Sequence, residues 1–327
     1  MTRFAISLLL FSLVVLPRDA RAVIVLGGRD ASGNLNNSGQ NSNPAPFNLG
    51  NYVGLFGNYL GTPINSRYFI TANHIGDGFL NHTNTTSTFI FDNGTSTATT
   101  YTVARVATQN DLSLWKIADN SSPGFGIYAP VYRGSNEPGQ ALVVLGRGTT
   151  RGGVVNSPQT NLPAGWNWGP ANSAITWGTG TFNAITTIPN TPGFGGDFLN
   201  WSFTNDPTKP DTGMLSDGDS GGPVFVLNPV DQQYELAGIN SLVDGVSAAS
   251  DPNNTAVLRA AIYDARGFYN GAEQIMGSSP VPLGSYASRI SSSMFFTGGT
   301  PVTVPEPAGL GVLLLASCGG LVRRRRA

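Results

Sequence analysis

The sequence contains three widely separated residues whose side chains could take part in proton transfer: His74, Asp111 and Ser220. A serine becomes a nucleophile when a histidine takes its proton, and a carboxylate can hold that histidine in the right tautomer. Ser220 lies in SDGDSGGPVF, where three glycines permit a sharp bend that directs backbone N–H groups at one point. Taken alone, this stretch fits a glycine-rich β-turn better than an active site. The three residues together indicate acyl transfer at a serine.

The other histidine, the cysteine and the nearby carboxylates are weaker candidates for chemistry. His82 lies in the polar stretch LNHTNTTS, which is typical of a surface loop. Asp77 and Asp92 lack the strand context of Asp111. Two histidines are too few for a multi-histidine metal site, and the single cysteine, Cys318, leaves the body without a disulfide or a cysteine-bound metal. We therefore expect neither a metal nor another cofactor.

Short apolar runs bounded by turn residues must position these side chains. The runs are rich in β-branched and aromatic residues, and few segments show helical periodicity over ten residues. This pattern predicts an all-β fold, with long loops and weak strands in the Asn-, Gly- and Pro-rich stretch 150–215. The predicted strands cover 66–72, 87–92, 100–107, 112–117, 140–146, 222–227 and 233–239.

The charge distribution argues against nucleic acid as a partner. Only 11% of the residues are charged, and between residues 23 and 304 eleven basic residues face seventeen acidic ones. The net charge over this range is −6 and no basic cluster is present, whereas a surface that binds nucleic acid is positively charged.

The N-terminal stretch 1–22 has the pattern of a signal peptide. Arg3 precedes an uncharged apolar run at 4–16, and the sequence Ala20-Arg21-Ala22 matches a signal peptidase site. The run is short for a membrane helix, which is the weaker interpretation. We expect export and a mature chain that begins at Val23.

The C-terminal stretch resembles a PEP-CTERM sorting signal. A proline-rich linker at 297–307 contains VPEP, and the segment 308–327 consists of an uncharged apolar run and four arginines. The resemblance implies processing by an exosortase-like enzyme, with the segment transiently anchored in the inner membrane and the body at the cell surface or outside. A plain C-terminal transmembrane anchor is the alternative.

Five stretches resemble the chymotrypsin-like (trypsin-fold) serine peptidases. TANHIG, NDLSLWKI and GDSGGPVF are similar to the elements that carry that family's His, Asp and Ser, in the same order. LAGINS resembles its strand along the substrate cleft, and GSYASRISSS resembles its closing strand and terminal helix. The resemblance implies two packed six-stranded antiparallel β-barrels and a short C-terminal helix. We place the peptidase domain at 23–296, with barrels at about 45–125 and about 126–296 and an insertion at 244–283.

The resemblance gives each site residue a role in a secreted serine endopeptidase. Ser220 attacks the carbonyl of a protein or peptide substrate, His74 transfers the proton, and Asp111 holds the imidazole. The backbone N–H groups of Gly218 and Ser220 would form an oxyanion hole.

Asp219 beside the nucleophile would be costly to bury without a partner. In the similar family this carboxylate pairs with an α-amino group freed by proteolysis. Here signal peptidase would itself free Val23, so that its amine pairs with Asp219 without a separate activation step. A further trim to Val25 is an alternative, because four apolar residues precede the glycine pair that follows.

The substrate pocket is expected to involve Met214, Ser241, Leu242 and Val243. Met214 stands six residues before Ser220, where the resemblance places the pocket floor, and the other three would form a wall. With no acid at the floor, the expected preference is for small or medium apolar side chains. Asp217 and the insertion could reshape this cleft.

Two other functions remain open. A catalytically weak or inactive surface-binding or matrix protein could use the same fold, because a fold does not guarantee an activity. An esterase is the weaker alternative, since the serine stretch lacks the pattern G-x-S-x-G.

Overall fold

The computed structural model describes residues 23–95, 97–171, 173–191, 194–247, 257–270, 275–277 and 279–290. Within these ranges the regular structure is almost entirely β-strand, which confirms the all-β prediction. The predicted signal peptide, terminal helix, linker and C-terminal apolar segment lie outside the described residues. Over the described ranges, no helix has the length and apolar character needed to cross a bilayer.

Twenty strands are assigned within the described ranges, together with one short 3-10 segment at Pro46–Tyr52. In chain order they are β1 Ile24–Val25, β2 Gly54–Phe56, β3 Tyr59–Pro63, β4 Tyr68–Ala72, β5 Thr86–Phe91, β6 Thr99–Gln109, β7 Leu112–Ile117, β8 Ala141–Gly146, β9 Thr149–Asn156, β10 Pro163–Ala171, β11 Thr176–Thr181, β12 Ala184–Thr191, β13 Phe194–Ser202, β14 Gly213–Met214, β15 Pro223–Leu227, β16 Tyr234–Val243, β17 Val246–Ser247, β18 Val257–Leu258, β19 Ala260–Ile262 and β20 Gly284–Arg289.

The first half of the chain forms a closed barrel of six strands in the order β2-β3-β4-β7-β6-β5. Its core is aromatic: the rings of Phe69 and Phe89 stack with their centroids 4.1 Å apart, and Trp115 is fully buried beside them. Gly61 makes this packing possible, because a Cβ at that position would lie 2.7 Å from the Phe69 ring. The first predicted barrel is therefore present, built around rings that need a glycine for their close approach.

The second half differs from the predicted closed barrel of six strands. Its main sheet has seven strands in the open order β11-β8-β15-β16-β20-β13-β12, and no pairing closes it among the described residues. The stretch 150–215, predicted to hold long loops and weak strands, supplies three strands of this sheet, β11 to β13, and also β10 and most of β9 in a second sheet. Trp177 and Trp201 from this stretch are buried. These two large rings supply the apolar area that the surrounding Gly, Thr and Asn residues lack. The strands therefore form without the apolar runs from which the sequence would have predicted them.

The insertion predicted at 244–283 contributes β17, β18 and β19 within the described residues. β17 pairs with β18, while β19 joins β10 and β9 in a three-stranded sheet. An apolar cluster that includes Phe203, Met214 and Ile262 packs between this sheet and the body. In the described residues, the insertion therefore covers the second half of the molecule.

A buried ion pair ties the last described strand to the segment that connects the two halves. Arg289 Nε lies 2.7 Å from Glu137 Oε1, and Arg289 Nη2 lies 3.1 Å from Oε2. Glu137 has no solvent exposure, so the fork of the guanidinium supplies the hydrogen bonds that its charge requires. The pair fixes β20, the neighbour of β16, against the connection between the halves.

Candidate active site

His74 and Asp111 are brought together by neighbouring strands of the barrel. β4 and β7 pair antiparallel with Ala72 opposite Leu112, so the residues after β4 meet the residues before β7. The Asn73 N–H donates to the Asp111 carbonyl over 2.9 Å and extends this ladder into the site. Two side chains 37 residues apart in sequence thus meet at one end of the barrel.

Asp111 is fully buried and orients the histidine ring. Its Oδ2 and Oδ1 lie 2.8 Å and 3.0 Å from His74 Nδ1, and the His74 backbone N–H donates to Oδ1 over 2.8 Å. The Ser241 hydroxyl also donates to Oδ2. These donors offset the cost of burying the charge. Because a carboxylate only accepts, the ring proton lies on Nδ1 and Nε2 is left as an acceptor.

Ser220 comes from the second half of the molecule and completes the line of contacts. It lies on the loop between β14 and β15, and its Oγ is 2.8 Å from His74 Nε2. The side chain of His74 is 32% exposed, so part of the imidazole ring is open to solvent. The Ser220 hydroxyl therefore donates to His74 Nε2, which can accept its proton as a general base.

The loop that carries Ser220 is bent at glycine and held by Asn240. Gly221 has φ +79°, and a Cβ there would overlap the carbonyl oxygen of Leu60. The Gly221 N–H donates to the Asn240 carbonyl over 3.1 Å, and Asn240 Nδ2 donates to the Asp219 carbonyl over 3.1 Å. The bend therefore requires glycine and is braced from β16.

Two backbone donors beside the hydroxyl are free for a ligand. Within the described part of the chain, neither the N–H of Gly218 nor that of Ser220 donates to a protein atom. Gly218 has φ +92°, a conformation that side-chain-bearing residues rarely adopt. Donors of this kind near a nucleophile can stabilise an oxyanion.

Asp219 is fully buried behind this loop. Its carboxylate accepts from the N–H groups of Gly148 and Ser216, each over 2.7 Å, from the Ser216 hydroxyl over 3.1 Å, and from the backbone N–H of Val23. Burial nevertheless raises the pKa of Asp219 to about 6, because the loss of water around the charge outweighs these donors. Among the described residues, no cationic side chain helps to hold the carboxylate ionised.

Val23 reaches Asp219 because the start of the described chain is anchored in the second half. Ile24 pairs with Met214 through the short ladder of β1 and β14. Val23 is fully buried and has φ +43°, so its backbone turns sharply into the interior. The residue predicted to begin the mature chain therefore lies next to the carboxylate predicted to hold it.

Met214, predicted as the pocket floor, lies in the apolar core. Its side chain has no solvent exposure and packs in the cluster that contains Phe203 and Ile262. Its strand pairs with β1. The apolar packing of this buried position therefore explains why a methionine stands at 214.

The residues predicted to form the pocket wall, Ser241, Leu242 and Val243, lie at the end of β16 and differ in their contacts. The pairing of β16 with β20 shifts register between Asn240 and Leu242, which places Ser241 at a bulge. Bulges re-aim side chains, and the Ser241 hydroxyl reaches the carboxylate of Asp111. Leu242 and Val243 are half-buried beyond it. The Ser241 hydroxyl thus extends the hydrogen-bonded line of Ser220, His74 and Asp111.

The sequence did not identify the supporting residues Gly148, Ser216 and Asn240. Each acts through a contact between elements distant in the chain: Gly148 and Ser216 hold Asp219, and Asn240 holds the serine loop. A buried Asn inside the apolar run of β16 was the available signal, since such a residue needs hydrogen-bond partners.

The weaker candidates lie apart from this line of contacts. His82 and Asp92 are exposed. Asp77 lies in its own loop, where burial acts to raise its pKa, but the hydrogen bonds from Asn84 and from the N–H groups of Phe79 and Asn81 together lower it. In the part of the chain that the structure describes, no group of three or more His, Cys, Asp or Glu side chains could hold a metal ion.

Comparisons with known proteins add a likeness in architecture. The crystal structure of Deg5 is 13% identical with a TM-score of 0.39, over 59% of this chain and 80% of that chain. The MamO protease domain from Magnetospirillum magneticum, in its apo form, is 16% identical with a TM-score of 0.35, over 74% of this chain and 92% of that chain. No protein-family model and no curated protein sequence matches the chain. Neither structural likeness bears on activity.

Proposed function

We propose that the chain is a serine endopeptidase that hydrolyses peptide bonds through an acyl-enzyme. The observation that carries this proposal is the line of hydrogen bonds from Ser220 through His74 to Asp111, with 2.8 Å at both ring nitrogens. A hydroxyl, an oriented imidazole and a buried carboxylate in this order supply a nucleophile, a base and a counter-charge.

The reaction follows from these positions. Ser220 Oγ forms a bond to the substrate carbonyl carbon while its proton passes to His74 Nε2, and the carbonyl oxygen becomes negative. The imidazolium is stabilised by Asp111 and then protonates the leaving nitrogen as the C–N bond breaks. A water molecule, deprotonated by His74, attacks the acyl-enzyme. The acid product leaves as the proton returns to Ser220.

The N–H groups of Gly218 and Ser220 would hold the oxygen that becomes negative. Their freedom from protein acceptors in the described structure supports this role. Backbone donors of this kind act without reorganisation, and one such donor is typically worth about 100- to 1,000-fold in rate.

An open strand edge favours an extended peptide as the substrate. The pairing of β15 with β16 ends at Pro223 opposite Ile239, and the serine loop adds two bonds to Asn240. β16 continues to Val243 with no partner on that side among the described residues. A peptide strand could add to this edge beside Ser220 and use its own N–H and C=O groups for binding.

Removal of the signal peptide 1–22 would complete the site. A free α-amino group at Val23 would replace the backbone N–H that now donates to Asp219 with a full positive charge. Signal peptidase would then be the activating partner. An exosortase-like enzyme acting on the segment 308–327 would release the body from transient anchoring in the inner membrane to the cell surface or the exterior.

Labelling with a fluorophosphonate probe tests the activity. The exported chain should be labelled, Ser220→Ala should abolish the label, and Ser121→Ala, at an exposed serine, should leave it unchanged. Peptide and ester substrates are then compared. Labelling with ester turnover alone would favour an esterase, whereas a folded chain without label would favour a surface-binding protein.

A further inference from the structure

A groove lined by aromatic rings lies at the end of β15 that is farther from Ser220, and it encloses about 570 Å³. Its lining comes from the barrel, from the connection between the two halves and from the turn between β15 and β16. The described residues that define this tyrosine groove include Tyr52, Tyr128, Pro130, Tyr132, Arg133 and Val230. None of its described lining residues belongs to the line from Ser220 to Asp111, so the groove is separate from the proposed active site.

The tyrosine groove leaves apolar surface uncovered. Val230, in the turn between β15 and β16, is 90% exposed, and Pro229 beside it is also exposed. Tyr52 and Tyr128 are half-buried. Polar side chains such as Asn136 lie among these apolar ones in the lining. A continuous apolar surface with interspersed polar groups is typical of a site that another segment covers.

The tyrosine groove contains one acidic and one basic side chain, and they differ in their contacts. Asn228 Nδ2 donates to Glu235 Oε2 over 3.1 Å. Burial raises the pKa of Glu235, and the opposing effects of Asn228 and of the charge of Arg133 are smaller. Arg133 is exposed, and its guanidinium donates no hydrogen bond to a described residue. Its permanent positive charge is therefore available to the carboxylate of an incoming segment.

Ile290, the last described residue, lies close to the tyrosine groove. Its N–H donates to the Ala237 carbonyl over 2.9 Å. The neighbouring Leu236 is bonded to the connection between the halves: its N–H donates to the Pro130 carbonyl over 2.7 Å, and its carbonyl accepts from the Tyr132 N–H over 2.9 Å. Two hydrogen bonds and one step along β16 therefore separate residue 290 from the groove lining.

The sequence beyond residue 290 contains a segment whose pattern suits such a groove. Residues 301–307 read PVTVPEP, and prolines favour a polyproline II helix, which has three residues per turn. On that period the apolar residues fall on two faces and the polar residues fall on the third. The first apolar face would hold Pro301, Val304 and Pro307, the second would hold Val302 and Pro305, and the polar face would hold Thr303 and Glu306.

We propose that the tyrosine groove binds residues 301–307 of the same chain, with the prolines against the tyrosine rings and Glu306 beside Arg133. Aromatic-lined grooves bind polyproline II segments, because a segment that is already extended loses little conformational entropy on binding. The bound segment would contact the barrel, the connection and the turn between β15 and β16 at once, and would hold the two halves together. This inference is independent of the proposed peptidase function.

The length of chain between Ile290 and the segment permits this binding. The ten residues 291–300 can span up to about 35 Å when extended, which exceeds the short path from Ile290 to the groove lining. A tether of this length keeps the segment at an effective concentration of about the millimolar range. Even a weak contact with the rings would therefore keep the groove occupied by the chain's own segment.

Disulfide formation in the exported full chain tests the contact. In a Cys318→Ser background, the groove pair Val230→Cys and Thr303→Cys joins the exposed turn to the polar face of the segment. The control pair combines Thr303→Cys with Val154→Cys, which is another exposed valine, on β9. The groove pair should close within one chain at least roughly tenfold faster than the control pair, because binding raises the effective concentration of the two thiols.

Exchange of charges tests the orientation of the segment. Arg133→Glu should slow closure of the groove pair roughly two- to fivefold, the range expected for an exposed ion pair, and the addition of Glu306→Arg should restore the rate. Lys209→Glu, at another exposed cation, should leave the rate unchanged.

Three results would overturn the inference. Equal closure rates for the groove pair and the control pair would show that the segment does not bind the groove. Faster closure of Val230→Cys with Phe296→Cys than with Thr303→Cys would assign the groove to the apolar residues directly after 290. Disulfides that join two chains would assign it to a second copy of the protein.

Discussion

The backbone N–H of Val23 donates to the buried carboxylate of Asp219 while the peptide bond before Val23 is intact. The partner is therefore a neutral amide, and the carboxylate is left with a pKa of about 6 rather than its ordinary 3.8. In the proposed processing, cleavage at this bond would give Val23 an ammonium group beside the carboxylate. The two forms would then differ in the charge of the group that faces Asp219.

The pH dependence of stability should separate these forms. In the uncleaved form the raised pKa means that folded Asp219 binds its proton more tightly than unfolded Asp219. Its contribution to stability is therefore fully present below about pH 4 and is lost as the pH rises through about 6. The displacement of about two pKa units corresponds to roughly 3 kcal/mol. In a chain that begins at Val23 the ammonium favours the ionised carboxylate, and this loss should disappear.

Urea unfolding at pH 4 and pH 6.5 measures the difference. The matched pair is a chain that begins at Val23 and one that retains only Ala22 before it, since the two chains then carry the same titrating side chains. Equal changes in unfolding free energy for the two chains would show that no ammonium–carboxylate pair forms.

Asp111→Asn should remove activity while the fold persists. The amide can donate to His74 Nδ1, which would place the ring proton on Nε2 and leave Ser220 without an acceptor. The expected loss in kcat is on the order of 10⁴-fold. Asp77→Asn is the control: it alters another buried carboxylate, which holds a loop through Asn84 and two N–H groups, and should reduce stability but not turnover per folded molecule. Comparable turnover losses in both variants would point to a general structural effect.

Gly221→Ala should damage the serine loop directly. The residue has φ +79°, and the added Cβ would overlap the Leu60 carbonyl, which belongs to the barrel backbone and cannot move aside easily. We expect a loss of stability above about 1 kcal/mol and loss of fluorophosphonate labelling. Gly153→Ala, where a Cβ meets nothing within 4 Å, should be close to neutral in thermal unfolding and labelling. Equal behaviour of the two variants would contradict the strain argument.

The sequence predicted the parts of the site that depend on local pattern. His74 and Asp111 follow and precede runs with clear strand character, and Ser220 lies among glycines whose bend is found at Gly221. The contact of the Ser241 hydroxyl with Asp111 was not predicted, because a one-residue bulge, which a single sequence does not reveal, decides where this hydroxyl points. The contact of Ser241 with Asp111 depends on how β16 and β20 pair, and these two strands are far apart in the sequence.

The fold was harder to predict where few residues supply most of the burial. The barrel strands carry regular apolar positions, whereas β9 to β13 depend on scattered rings such as Trp177 and Trp201 among Gly, Thr and Asn. Their pairing partners, not their composition, make them strands. The burial of Met214 could not be predicted for the same reason, because its position relative to Ser220 is local while its burial depends on β1 and Phe203.

The line from Ser220 to Asp111 belongs to neither half of the molecule alone. The barrel holds the base and its carboxylate, and the seven-stranded sheet holds the hydroxyl, with the pair of Arg289 and Glu137 bracing the connection between them. The proposed reaction thus depends on the alignment of the Ser220 hydroxyl with the His74 imidazole. A displacement of about 1 Å between such groups can lower a rate on the order of 100-fold. The buried cluster that contains residues of both halves, such as Trp115 and Phe225, therefore contributes to the proposed reaction as well as to stability, because it fixes the position of the hydroxyl relative to the imidazole.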